Sequence, residues 1–339
     1  MVEDLSLENI AKLEETIAPF SAFSSIEFLD ISNEGLEPRH NYYKLDPLRA
    51  SEIKKLYLKL NAFSQKRFSK MIMCRFFFAS LFPQYDKMIM FDVDTLFVND
   101  MSESFFIPLE THYFGAVREK DLIAINRNSA KDLYELRQMH AKSIGVADAF
   151  PNLEEAQILF DNYFNAGFLV LNLKSWREEN LENQLVGFFL LKNEKLLFSD
   201  QDALCFVCRG RPYSYNAHPS FLDTPLFPSI KEARMLHFWG DKPWKLLSVI
   251  GAKKWHEILI QTPFKDAYFN APFLDHLFES LQNKDKETQE IHALNKILSF
   301  SDKRHSFEFL LPRLSSKLLI EFLLFKAKQK VKRLIKRVF

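Results

Sequence analysis

Long apolar runs are missing from this 339-residue sequence. Apolar runs such as FLVL at 168–171 and FLLF at 322–325 fall far short of the roughly 18 consecutive apolar residues that a spanning helix needs, so no transmembrane segment is expected. Cysteine is sparse as well. Cys74, Cys205 and Cys208 make no disulfide framework, and a reducing cytoplasm is the default. Glycine is rarer than usual, eight residues against thirty-five phenylalanines, a bias that speaks more to genome composition than to function. Neither sign of charge dominates, with 45 Lys+Arg against 44 Asp+Glu, which argues against a basic duplex-binding body and so against nucleic acid as a partner. The first residues, MVEDLSLENI, lack the charged-then-apolar pattern of a signal peptide, and nothing argues for secretion. What remains is a globular composition, 47% hydrophobic and 26% charged, sized for one large domain or two ordinary ones.

Leu7, Ile10, Leu13 and Ile17 fall on one helical face. Residues 25–32 alternate as a short strand does, and 64–81 read as a helix. KMIMFDVDTLFV at 87–98 reads as an apolar strand that breaks at two carboxylates. FNAGFLVLNL at 164–173 repeats the theme and is followed by a helix over 181–192. Strands alternating with helices predict an α/β fold with a doubly wound sheet. Residues 111–162 are charged and irregular, with a helix near 130–142, and read as an insertion at the sheet's edge. No internal repeat is evident. After Trp244 the strand signals fade into short helices, and KDKETQE at 284–290 reads as a solvated linker or helix face.

Four constellations carry chemistry. Asp92 and Asp94 would share one face of an extended strand. Two carboxylates so close on an apolar background call for a cation, and oxygen ligands suit Mn2+ or Mg2+. An acidic turn is the plain alternative. The phosphatase pattern Asp-x-Asp-x-Thr is excluded by spacing, because Thr95 follows Asp94 directly. HFWGDKPW at 237–244 combines a histidine able to bind metal, a glycine allowing close backbone approach and a lysine suited to phosphate. A lone histidine beside aromatics is, however, more often a packed core residue. Asn165-Ala166-Gly167 opens a strand with small residues that leave room for a ligand, or is a plain turn. SDQDAL at 199–204 puts polar groups at the head of a helix, where Ser199 or Asp200 would serve as N-cap. Cys205 and Cys208, in CFVC, read as a buried apolar pair, since no second cysteine pair or histidine cluster accompanies them.

In this order and at these separations, FDVDTLFVND, YFNAGFLVLNLKSWR, SDQDAL and HFWGDKPW resemble the retaining glycosyltransferases of family 8, which include bacterial lipopolysaccharide galactosyl- and glucosyltransferases and glycogenin. The likeness runs from about Val2 to Trp244. It implies a single nucleotide-diphospho-sugar transferase domain of GT-A type with a mixed central sheet over 1–260, and a helical C-terminal region over 261–339. It further implies Mn2+ (or Mg2+) held by Asp92, Asp94 and His237 on the diphosphate of a UDP-sugar. Arg75, Val93, Asn165, Ala166, Asp200, Gly240 and Lys242 would contact the donor, with Gly240 and Lys242 at the diphosphate. Gln201 and Asp200 are the catalytic candidates, Gln201 lying where its amide approaches the far face of the anomeric carbon. Attack by the acceptor hydroxyl from the leaving-group side is equally compatible. The implied reaction is hexosyl transfer from UDP-galactose or UDP-glucose to a glycan or lipid-linked saccharide in lipopolysaccharide synthesis.

Two departures stand out. Only Asp241 separates Gly240 from Lys242, one residue fewer than the family loop has. The family also begins with a strand and a helix bearing an acidic motif for the nucleoside, whereas MVEDLSLENIAKLEE looks like the end of its second strand and the helix after it. The expectations are a start placed too late, a split gene, or an inert remnant acting at most as a sugar-binding module. Finally, residues 315–339 hold eight Lys/Arg and one Glu, +7 of a chain total of +1, so the other 314 carry −6. LLIEFLLF followed by KAKQKVKRLIKRVF suits an interfacial helix on anionic lipid, which predicts a cytoplasmic protein peripheral to the inner face of the membrane.

Overall fold

The computed structural model describes residues 1–3, 5–32, 40–118, 129–146, 148–209, 234–239, 242–245, 249 and 251–268. Helix Leu7–Ile17 starts at Ser6, whose hydroxyl accepts from the Asn9 N–H at 3.2 Å. It buries Ile10 against Phe28 and Tyr42. These belong to β1 (Phe28–Asp30) and β2 (Tyr42–Lys44), which pair in parallel. Val2 bridges in parallel to Asp30, its N–H donating to Leu29 O and its carbonyl accepting from Ile31 N–H, so β1 is paired along both edges.

The main sheet is antiparallel, in the order β3 (Lys87–Phe91), β6 (Phe164–Asn172), β5 (Phe114–Arg118). β6 sits in the middle and is buried from Ala166 to Leu171, as its nearly unbroken apolar run requires of a strand covered on both faces. A third pair joins β4 (Thr95–Phe97) antiparallel to β7 (Met235–His237). Among the described residues parallel pairing is confined to the β1–β2 unit, and the fold is a mixed α/β one. The core is rich in phenylalanine. Phe114 and Phe164 pack with ring centroids 4.8 Å apart, and Phe76 and Phe189 at 5.8 Å. Helix Leu181–Lys192 contributes Leu181, Leu185 and Phe189, all fully buried, and helix Ser199–Val207 contributes Ala203, Leu204 and Cys205.

Several expectations need correction. The helix read over 64–81 is broken into Ala62–Arg67, Met71–Cys74, the 3-10 turn Arg75–Phe77 and Phe78–Leu81. The Tyr57 hydroxyl lies 2.7 Å from Gln65 O and 2.9 Å from Phe68 O, its one proton shared between carbonyls that a continuing helix would have bonded. The strand read over 87–98 breaks after Phe91: the Thr95 N–H and hydroxyl both donate to Asp92 O, at 3.2 and 2.7 Å, and β4 then joins a different sheet. Residues 111–162 are not a mere insertion, since they hold β5, an integral strand, with helices Ala130–Ile144 and Leu153–Asn162. Neither Ser199 nor Asp200 is an N-cap; the cap position is Phe198, and it offers no side-chain bond. Cys205 and Cys208 are both buried, and burial pushes the Cys208 thiol up, which suits the apolar reading. Among the described residues no helix is long and apolar enough to cross a membrane. Gly240, Asp241, the acidic-basic stretch 284–290 and the basic tail 315–339 lie outside the described residues.

Candidate active site

Strand pairing assembles the site. Past the end of β3, the Asp92 N–H still donates to Gly167 O of β6 at 2.8 Å. The turn at Asp92–Thr95 then hands the chain to β4, whose Thr95 is opposite His237, while the Phe238 N–H donates to Asp94 O at 2.8 Å. The two acids therefore meet the histidine around a turn rather than along one strand face. His237 Nε2 lies 3.3 Å from Asp94 Oδ1 and 3.6 Å from Asp92 Oδ2. One ligand atom from each of the three residues falls within 4.8 Å of the other two. Gly167 makes the approach possible. A Cβ there would run into the His237 ring, 2.8 Å from Nε2, and lie 2.9 Å from Asn165 Oδ1.

Around this trio lies a shell of charge. Arg75, on its 3-10 turn, donates to Asp92, to Asp200 Oδ2 at 2.5 Å and to Ala166 O at 3.2 Å. Gln201 Oε1 accepts the Ala166 N–H at 2.9 Å, and Asn165 Oδ1 accepts the Gly167 N–H at 2.8 Å. Lys242 donates to Asp94 and to Phe238 O. Val93 is 98% exposed, at the open side of the turn. Burial works against ionisation of Asp92, but Arg75 and His237 outweigh it and hold its carboxyl below the ordinary carboxylate range. At Asp94 burial is outweighed by the neighbouring His237 and by Lys242, which hold it down at about 2. Burial likewise opposes charge on Arg75, while Asp200 and Asp92 drive its pKa upward. Both acids are thus ready as anionic ligands at neutral pH.

This donor set, two carboxylates and an imidazole, fits a hard divalent cation that keeps open positions for phosphate oxygens. Among the described residues no other group of His, Cys, Asp and Glu has that geometry. Arg75, Asp92, Ala166, Asp200 and Gln201 are joined by direct hydrogen bonds, as are Asp94 and Lys242. The Asn165 side chain bonds within its own strand instead of to Asp200. One buried group went unread in the sequence: Arg137, 4% exposed, pairs with Asp202, which has no exposed surface. Its signal was there, because Leu133, Arg137 and Ala141 form the buried stripe of helix Ala130–Ile144, and a charge in an apolar stripe requires a partner.

The chain is similar to a putative glycosyltransferase of Haemophilus influenzae, 27% identical over 139 residues that make up 41% of this chain and 35% of that protein. It is also similar to the lipopolysaccharide 1,2-glucosyltransferase of Escherichia coli, 25% identical over 122 residues, 32% of this chain and 36% of that one. The match thus spans about a third of either relative's length. Among solved structures, the galactosyltransferase LgtC in complex with donor and acceptor sugar analogs shares 18% identity at a TM-score of 0.47, covering 77% of this chain and 94% of that one. The family model described as Glycosyl transferase family 8 matches residues 1–247, most of the chain, and so the chain belongs to glycosyltransferase family 8.

Proposed function

We propose that the protein transfers a hexosyl group, with retention of anomeric configuration, from UDP-galactose or UDP-glucose to a hydroxyl of a glycan or lipid-linked saccharide in lipopolysaccharide synthesis. The observation that carries this reading is the convergence of Asp92, Asp94 and His237 within 4.8 Å beside Arg75 and its partner Asp200. Bound there, Mn2+ or Mg2+ supplies positive charge against the oxygens of the departing UDP. In this reading Lys242 and Gly240 contact the diphosphate, Val93 and Ala166 line the donor, and Asn165 and Asp200 orient the sugar. Arg75 keeps Asp200 in place. Gln201 Oε1 is engaged by the Ala166 N–H, which favours attack by the acceptor hydroxyl from the leaving-group side over attack by the amide. Residues 1–260 form the catalytic unit in this reading, and the basic end of 261–339 rests on anionic lipid at the cytoplasmic face.

The test is a calorimetric titration of UDP with and without Mn2+. Wild type binds UDP only with the metal present. Asp92→Asn and Asp94→Asn each lose that metal-dependent binding while keeping the fold, and His237→Ala weakens metal and UDP together. Full Mn2+-dependent affinity in either aspartate variant overturns the metal assignment. A wild-type chain that binds no UDP at all is the inert sugar-binding remnant instead.

A further inference from the structure

One buried cluster behind the site is not used by the chemistry above. Arg137 makes three directional bonds: Nε to Phe150 O at 3.0 Å, Nη1 to the Tyr163 hydroxyl at 3.3 Å, and Nη2 to Asp202 Oδ2 at 2.5 Å. The same Asp202 oxygen accepts the N–H groups of Leu197 and Phe198 at 3.2 and 3.1 Å. The cluster therefore ties helix Ala130–Ile144 both to Tyr163, immediately before β6, and to the loop that enters helix Ser199–Val207. That helix has no side-chain cap at its N-terminus, and Asp202 reaches back to accept the N–H of Phe198 at the cap position and of Leu197 before it. Asp200 and Gln201, in the same turn, face the other way, onto Arg75 and Ala166.

We propose that Arg137, acting with Asp202 and Tyr163, is a positioning device that sets the first turn of helix Ser199–Val207, and with it the aim of Asp200 and Gln201 into the site. Its consequence for turnover rests on the transferase reading above. A buried ion pair is weak evidence for stability, since an apolar replacement of similar volume often stabilises a fold as well or better. Five bonds converging on one arginine and one carboxylate do something apolar packing does not. They fix the rotation of a helix turn whose Asp200 and Gln201 side chains bond Arg75 and Ala166 at the site, and in an active site an error of about 1 Å costs on the order of a hundredfold in rate. Arg137 and Asp202 bond to none of Asp92, Asp94 and His237, so metal binding and aim are separable.

The experiment compares wild type with Arg137→Met, Arg137→Lys and Tyr163→Phe by three measurements: amide hydrogen exchange across 197–204, Mn2+-dependent UDP affinity, and turnover of UDP-galactose and UDP-glucose. We expect Arg137→Met and Tyr163→Phe to speed exchange across 197–204 about tenfold while β3 keeps its protection. In Arg137→Met, kcat falls by about tenfold to a hundredfold with UDP affinity within about twofold of wild type, and Arg137→Lys recovers part of the loss. Wild-type exchange across 197–204 overturns the proposal. So does a parallel fall of UDP affinity, kcat and melting temperature, which marks a merely structural pair. Should Arg137→Met fail to fold, Tyr163→Phe, which removes one oxygen, decides by the same exchange measurement. A wild-type protein that turns over neither sugar nucleotide refutes the transferase reading alone, and the exchange result still decides the clamp.

Discussion

Gly167 shows how much of the site rests on the absence of one carbon. Alanine there puts a Cβ into the imidazole of His237, and His237, only 4% exposed, has little space into which to retreat. Overpacking of that kind typically costs about 1–3 kcal/mol. Here the strain falls on a metal ligand, so Gly167→Ala is expected to weaken Mn2+-dependent UDP binding more than tenfold, on the order of 1.4 kcal/mol or more. Gly187 is the internal control. Nothing lies within 4 Å of a Cβ built on it, and it sits inside helix Leu181–Lys192, so Gly187→Ala gains about 0.5–1 kcal/mol of stability and leaves binding alone. Calorimetry and thermal melting of the two variants check the contrast. If Gly167→Ala bound normally, the histidine would not be seated where β6 and β7 put it.

At the scale of elements, Phe189 links a helix to the turn that carries Arg75. It is fully buried on helix Leu181–Lys192 and its ring meets Phe76, the residue after Arg75. Phe189→Ala leaves a cavity at that contact, and urea unfolding should show a loss of about 3–5 kcal/mol. A loss below about 1 kcal/mol would mean that the site collapses freely, contrary to a close-packed core. Elements of this kind were legible in the sequence. The apolar run of 164–172 specifies a strand buried on both faces, the helix over 181–192 is legible at its observed bounds, and the closeness of Asp92 and Asp94 calls for a cation while the resemblance adds His237. The breaks were not legible. The kink after Arg67 depends on the hydroxyl of Tyr57, and the turn at Asp92–Thr95 depends on β7 arriving from far along the chain. Such distant partners leave no mark on local periodicity. β5 was missed for a related reason: FGAVR is too short to show an alternation, and only its register against β6 defines it. The reach of Arg75 to both Asp92 and Asp200 followed from no spacing rule either; resemblance alone pointed to Arg75.

For the whole molecule, charge separates by region: +7 on residues 315–339 against −6 on the rest. Each of eight basic side chains near an anionic surface contributes at best about 1 kcal/mol, screened within roughly 8 Å at physiological salt. Deletion after Arg313 should therefore release the protein from phosphatidylglycerol vesicles in a co-sedimentation series, without loss of solubility and with Mn2+-dependent UDP binding intact. Aggregation of the shortened chain, or unchanged vesicle binding, would make the tail part of the fold.

Ala166 gives its carbonyl to Arg75 and its N–H to Gln201, and the next residue along β6 gives its carbonyl to Asp92. Two adjacent residues thus serve as the common datum for groups drawn from three parts of the chain. A strand mispaired by one position would turn Ala166 away from both partners at once. Sheet registration and site assembly are accordingly coupled, because the same β6 backbone groups that the register sets are the ones that Arg75, Gln201 and Asp92 bond.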